Sequence, residues 1–212
     1  MKELFEKCID TIKDENLRKF AHYCVSYIPK YFWKIPASSS GKYHPVTDLG
    51  EGGLVRHSLM TYRVALDLIK QKSWEATALG TTACEIFTDV VIFSTLFHDT
   101  FKAGCTDELP ENYDTLHEHP ILAKEEYTKA FNNYYNTLTE EERKKIIRED
   151  LHFIFSVIQD CLSKHMGKWI TSDYSDTILP EPETEIEQLV HNADYIASRK
   201  YCLYDKEFFN NL

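Results

Sequence analysis

The residues able to do chemistry in this chain are histidines and aspartates at the edges of apolar stretches. A strongly apolar run, Val90 to Phe97, ends in His98-Asp99, and Lys102 follows three residues after the aspartate. An unpaired carboxylate closing such a run is costly, so the pair requires a partner. Four further residues of the same chemical type fall on or beside buried faces of other apolar patterns: His57, His119, His165 and Asp194. Imidazole and carboxylate together suit Mn, Fe, Co, Ni or Zn. Mixed His/Asp sets also leave coordination positions open for water or substrate. Each residue alone has a plain explanation: a lone histidine on an apolar face is usually a hydrogen-bonded core residue, and Asp194 has Arg63 or Arg199 as ion-pair partners. It is their number and their order along the chain that favour a metal.

These side chains need helices to bring them together. Residues 3 to about 29 read as helix, interrupted near Asp14-Glu15-Asn16, with Leu17, Phe20, Ala21, Cys24 and Ile28 at helical spacing. Residues 35–53 form a loop that closes on Gly50-Glu51-Gly52-Gly53. A helix follows from Leu54 to about Gln71, with His57, Met60, Val64 and Leu68 on one face. The next runs from Cys84 to His98 and is apolar on nearly all sides, which predicts a central position. Pro120 suits the first turn of a helix reaching Asn136. Thr139 and Glu142 form a capping box that opens a helix carrying Ile147, Leu151, Ile154, Ile158 and Cys161 as its stripe, with His165 next and Gly167 just past its end. The last long helix, Glu183 to Lys200, turns Ile186, Leu189, Val190, Ala193 and Ala197 inward, with Asp194 beside them. The prediction is an all-α single domain over 1–212: an N-terminal helical segment (1–33), a core (34–200) with the metal site at the centre of its helices, and a C-terminal tail (201–212).

At 212 residues, with 43% hydrophobic and 13% aromatic content, the chain can bury one substantial core. A net charge of -10 argues against extended nucleic-acid binding and against anionic membranes. No apolar run approaches the ~18 residues of a membrane span, and the amphipathic start lacks the apolar centre of a signal peptide. Six scattered cysteines without a C-x-x-C pair read as reduced, mostly buried residues of a cytoplasmic protein.

Several stretches together carry a family likeness: Gly52-Gly53-Leu54-Val55-Arg56-His57, His98-Asp99-Thr100-Phe101-Lys102, His119-Pro120, His165-Met166-Gly167-Lys168-Trp169 and Asn192-Ala193-Asp194-Tyr195. In this order they resemble the HD-domain metal-dependent phosphohydrolase superfamily, in the branch of the HD domain of bacterial 3′-5′ exoribonucleases and stand-alone phage or prophage HD proteins. The likeness spans about residues 30 to 200. It implies that His57, His98, Asp99 and Asp194 bind one divalent ion, that Asp99 bridges to a second held by His119 and His165, and that Lys102 contacts the scissile phosphate. The expected reaction is hydrolysis of a phosphoester by a metal-activated hydroxide, with Asp99 and Lys102 as catalytic residues. Candidate substrate contacts are Lys102, His44, Arg56, Lys168, Trp169 and Arg199, with Lys42 in the same loops and His117 as a supporting residue. No oligonucleotide-binding β-barrel precedes these motifs in the sequence, so a mononucleotide, cyclic nucleotide or short oligonucleotide is the expected partner. Two other readings share the ligand order: a di-iron oxygenase, and a metal-containing nucleotide-binding or interaction module without turnover.

Overall fold

The structure, a computed structural model, describes residues 1–38, 40–76, 81–109, 113–148 and 150–212; for 72–76, 81–84, 147 and 148 it describes the backbone alone. Among the described residues the chain is all-helical. Its α-helices are α1 (Lys2–Ile9), α2 (Glu15–Cys24), α3 (Gly53–Ala76), α4 (Thr81–Phe97), α5 (His119–Thr137), α6 (Glu140–Arg148), α7 (Leu151–Lys164), α8 (Glu185–Ala197) and α9 (Lys206–Asn210). None of them is long and apolar enough to cross a membrane.

The apolar α4 is the axis of the bundle, packed against α1, α3, α7 and α8. Every residue from Asp89 to Phe101 is buried, as its all-round apolar pattern predicts. One end of this helix stands in an aromatic core. Phe93 stacks on Phe20 of α2 and on Phe97, with ring centroids 5.7 and 4.5 Å apart, and Phe5 of α1 meets Phe97 edge-on at 5.3 Å. Each fully buried phenylalanine contributes about 2–3 kcal/mol from the area it removes from water. The first thirty residues are therefore part of the same core. They are pinned to α4 by Asp89, whose carboxylate accepts from the backbone N–H groups of Lys13 (2.9 Å) and Asp14 (2.7 Å). Asp14 in turn caps α2 by accepting from Leu17 N at 2.7 Å.

The structure departs from the sequence expectation in two places. The helix expected from Thr139 to His165 is two helices. Its capping box forms, with Thr139 N donating to Glu142 Oε2 at 2.8 Å, but Asp150 adopts a left-handed backbone (φ 51°) that breaks the i→i−4 ladder ahead of α7. Aspartate tolerates that conformation better than most residues, because its short side chain bonds locally. Leu151, Ile154, Ile158 and Cys161 are buried as expected; the side chain of Ile147, like that of Cys84, lies outside the described residues. The tail is the second departure. Asp205 caps the short α9, Phe209 is buried, and Phe208 lies under the Arg63 guanidinium at 4.3 Å. The cysteines follow the expectation: among the described residues all are free thiols, with Cys8, Cys24 and Cys161 buried, Cys202 half-buried and Cys105 exposed.

Candidate metal centre

All six ligand-type residues converge at the C-terminal end of α4, just past Phe97 and the aromatic core. His57 projects from α3, His98 and Asp99 directly follow α4, His119 opens α5, His165 caps α7, and Asp194 sits in the last turn of α8. A tight approach sets the entry to α3. A Cβ on Gly53 would lie 1.9 Å from the Asp48 carbonyl oxygen, so only glycine lets the 36–48 loop fold under that helix. The four histidines and Asp99 are buried; Asp194, with 18% of its side chain exposed, marks the side open to solvent.

The two oxygens of Asp99 face different partners. Oδ1 lies 3.0 Å from His119 Nε2 and 3.6 Å from His165 Nε2. Oδ2 lies 3.7 Å from His57 Nε2, 3.6 Å from His98 Nε2 and 2.6 Å from the Lys102 ammonium. Asp194 Oδ1 completes the second group, 2.9 Å from His57 Nε2 and 3.6 Å from His98 Nε2. Two ligands each about 2.1 Å from one ion stand roughly 3 to 4 Å apart, and these separations match that spacing. The sets His57/His98/Asp99, His98/His165/Asp194 and Asp99/His119/His165 each place their ligand atoms within 4.8 Å of one another.

Hydrogen bonds behind the rings decide which nitrogen faces inward. Nδ1 of His98 lies 2.8 Å from Thr95 O, Nδ1 of His119 2.6 Å from Leu116 O, and Nδ1 of His165 2.8 Å from Leu162 O. A carbonyl oxygen only accepts, so Nδ1 carries the proton in all three rings and Nε2 presents its lone pair. The outcome is electrostatically strained without a cation. His119 and His165 Nε2 stand 3.2 Å apart, and buried His98 Nε2 has no hydrogen-bond partner. Burial pulls His119 below the ordinary imidazole value, and Asp99 only partly offsets it, which leaves that ring neutral at pH 7. Burial works to raise the Asp99 carboxyl, but Lys102, His98, His119 and His165 outweigh it and hold it well below the usual carboxylate range. His57 differs from His119: burial opposes its charge, yet Asp194 and Asp48 prevail and push it up to about 9.

The expected substrate contacts divide into two groups. Lys168, Trp169 and Arg199 gather on an exposed run continuous in sequence with His165 and Asp194. Lys168 lies over Trp169 (5.3 Å), Trp169 stacks on Tyr195 (5.4 Å), and Arg199 covers Tyr195 (4.3 Å) and reaches Tyr43 (5.3 Å), which Lys42 also covers at 5.1 Å. Arg56 is turned elsewhere, donating through Nε to Thr47 O at 2.6 Å and so bracing the loop. His44 lies edge-to-face on His57 at 4.9 Å, one ring behind the ligands. His117 Nε2 donates to Ile170 O and Thr177 O and latches the loop after α7. His191 Nδ1 donates to His165 O at 2.8 Å, and its ring fills the space a Gly167 Cβ would need.

Sequence reasoning missed Asp48. It is fully buried, and its Oδ2 lies 3.7 Å from Nδ1 of both His57 and His44. It belongs to no periodic pattern; its only sequence signal is a lone carboxylate between His44-Pro45 and the glycine cluster.

Comparison with protein-family models, with curated proteins and with solved structures finds no match to this chain. The buried His/Asp cluster is compatible with an HD-type site and offers ligands for a metal ion.

Proposed function

We propose that this protein is a metal-dependent phosphohydrolase acting on a phosphoester of a nucleotide or of a short or cyclic oligonucleotide. His57, His98, Asp99 and Asp194 would hold one divalent ion, and Asp99, His119 and His165 a second. The observation that carries this reading is the division of Asp99, whose two oxygens address two separate sets of inward-facing Nε2 atoms. Ions bound there would supply an activated water at neutral pH and offset charge on the phosphoryl oxygens. The chain's own contribution is to fix the ligands beforehand: the carbonyls of Thr95, Leu116 and Leu162 hold three rings in one tautomer, so no reorientation is needed on loading. Lys102, partly exposed and paired with Asp99, is the cation next to the site, and a phosphate oxygen offers it an alternative partner. The Trp169–Tyr195–Arg199 run suits a base and its phosphates on the exposed side.

The test is metal analysis of anaerobically handled protein, followed by a panel of nucleotides and phosphodiesters with Mn²⁺, Co²⁺ and Fe²⁺. The expected result is about one to two equivalents of metal and metal-dependent product release. Asp99→Ala should abolish turnover with helix content unchanged by circular dichroism. Iron with oxygen consumption and no phosphoester turnover would replace this reading with an oxygenase. Nucleotide binding without turnover in Mn²⁺ would replace it with a binding module.

A further inference from the structure

Three of the four inward-facing histidines lie at helix ends and borrow a carbonyl three residues back to hold Nδ1–H. Thr95 and Leu162 are in the last turns of α4 and α7, where carbonyls have no helical partner, and Leu116 is in the turn ahead of α5. His57 has no such option. It lies inside α3, where the carbonyls of Gly53 and Leu54 belong to the helix's own ladder. Its Nδ1 is buried without a hydrogen-bond partner, as are His44 Nδ1 and Asp48 Oδ2. These three orphaned atoms face one another, with Oδ2 3.7 Å from each nitrogen. A buried carboxylate oxygen left unpaired is costly, and the two imidazole N–H groups are the donors in reach.

We infer that Asp48 is the positioning residue of the metal centre, accepting from His57 Nδ1–H so that His57 Nε2 is directed at the ion. The inference rests on the metal reading above. Asp48 does for His57 what helix-end carbonyls do for the other three rings, and as a carboxylate it also raises the ring's basicity as a ligand. Its placement is built into the fold. Ala37 N donates to Asp48 O at 3.0 Å, and the Gly53 approach closes on that same carbonyl. Arg56 and Tyr204 hold the neighbouring Thr47 through its carbonyl and its hydroxyl, at 2.6 and 3.1 Å. His44 packs against the His57 ring and shares the carboxylate, which prevents Asp48 from turning away.

The experiment is zinc affinity by chelator competition for the full chain and for Asp48→Ala and Asp48→Asn, with long-range ¹H–¹⁵N spectra of the zinc-loaded histidines. Asp48→Ala should weaken zinc binding by about 10- to 100-fold. Asp48→Asn, which still offers an accepting oxygen, should recover much of that loss, a rescue that a purely structural role would not produce. The wild-type spectrum should show His57 protonated on Nδ1. Zinc binding by Asp48→Ala within about twofold of wild type, or a wild-type His57 protonated on Nε2 with zinc on Nδ1, would overturn the inference while leaving the metal reading intact. The spectral criterion needs no variant and holds even if Asp48→Ala fails to fold. A wild-type chain that takes up no metal ion would overturn both.

Discussion

The two sides of Asp99 solve the same electrostatic problem differently. On the Oδ2 side positive charge is already present: Lys102 stands 2.6 Å away, and His57, held between Asp194 and Asp48, keeps its proton up to about 9. On the Oδ1 side burial keeps His119 neutral, and its lone pair faces Asp99 at 3.0 Å and His165 at 3.2 Å. A metal entering the Oδ1 side therefore displaces little, whereas one entering the Oδ2 side must displace a proton and an ammonium group. The difference teaches that a nearly symmetric ligand set can still fill in order.

Asp99 is common to both sides, so its loss has the largest effect. Asp99→Asn keeps the size of the side chain and removes the shared charge; metal should be lost from both positions and turnover should fall by at least about 10³-fold. Elemental analysis with activity in Mn²⁺ checks this, and retention of either ion would mean that Asp99 does not serve both sides. Replacing one side's ligand separates them. His119→Gln should lower the bound metal from two equivalents to about one, leaving the ion held by His57, His98 and Asp194 in place. If His98→Gln and His119→Gln remove the same ion, the division between the sides is wrong.

A pH titration sharpens the contrast with a smaller effect. Below about 9 the His57 proton competes with metal, so affinity on the Oδ2 side should climb by about tenfold per pH unit up to about 9, while neutral His119 brings no such competing proton to the Oδ1 side near neutrality. The same proton affects the metal-free chain. A group whose folded pKa is raised stabilises most at low pH, so the His57 contribution is complete below 6.5 and lost as pH rises through about 9. The melting temperature of metal-free protein should fall across that window, and that of His57→Gln should not.

Much of this arrangement was legible in the sequence because it depends on periodicity. Apolar stripes at helical spacing located α3, α4, α7 and α8, and polar residues interrupting or ending those stripes located the members of the buried His/Asp cluster. What was not legible depends on irregular backbone. Asp48 acquires its role only because a glycine-dependent turn folds its loop beneath α3. Asp150 sits in the charged run Arg148-Glu149-Asp150, which reads as the solvated face of a continuing helix and gives no hint of a left-handed turn. The tail carried a signal that was passed over, namely adjacent Phe208 and Phe209 behind a capping Asp205. Arg56 stands next to His57 in sequence, but in a helix the next residue points about 100° away, and here Arg56 Nε donates to Thr47 O.

The smallest predicted effect tests whether the two sides share a support. Glu187 is buried at the start of α8, accepts from Glu183 N (2.6 Å) and Thr184 N (3.0 Å), and pairs with Lys164 at 3.1 Å. Lys164 immediately precedes His165 on the Oδ1 side, while α8 carries Asp194 on the other, so this contact joins the supports of both. Burial works to raise the Glu187 carboxyl, but those two N–H groups and Lys164 outweigh it and lower its pKa. A lowered folded pKa stabilises above the unfolded value and is lost as pH falls through the folded one. Glu187→Gln should therefore cost about 1 kcal/mol at neutral pH, and its melting curve should converge on wild type in acid. Because the contact belongs to neither side alone, both ion affinities should drop by similar small factors. A loss confined to one ion would show that α7 and α8 position the two sides independently.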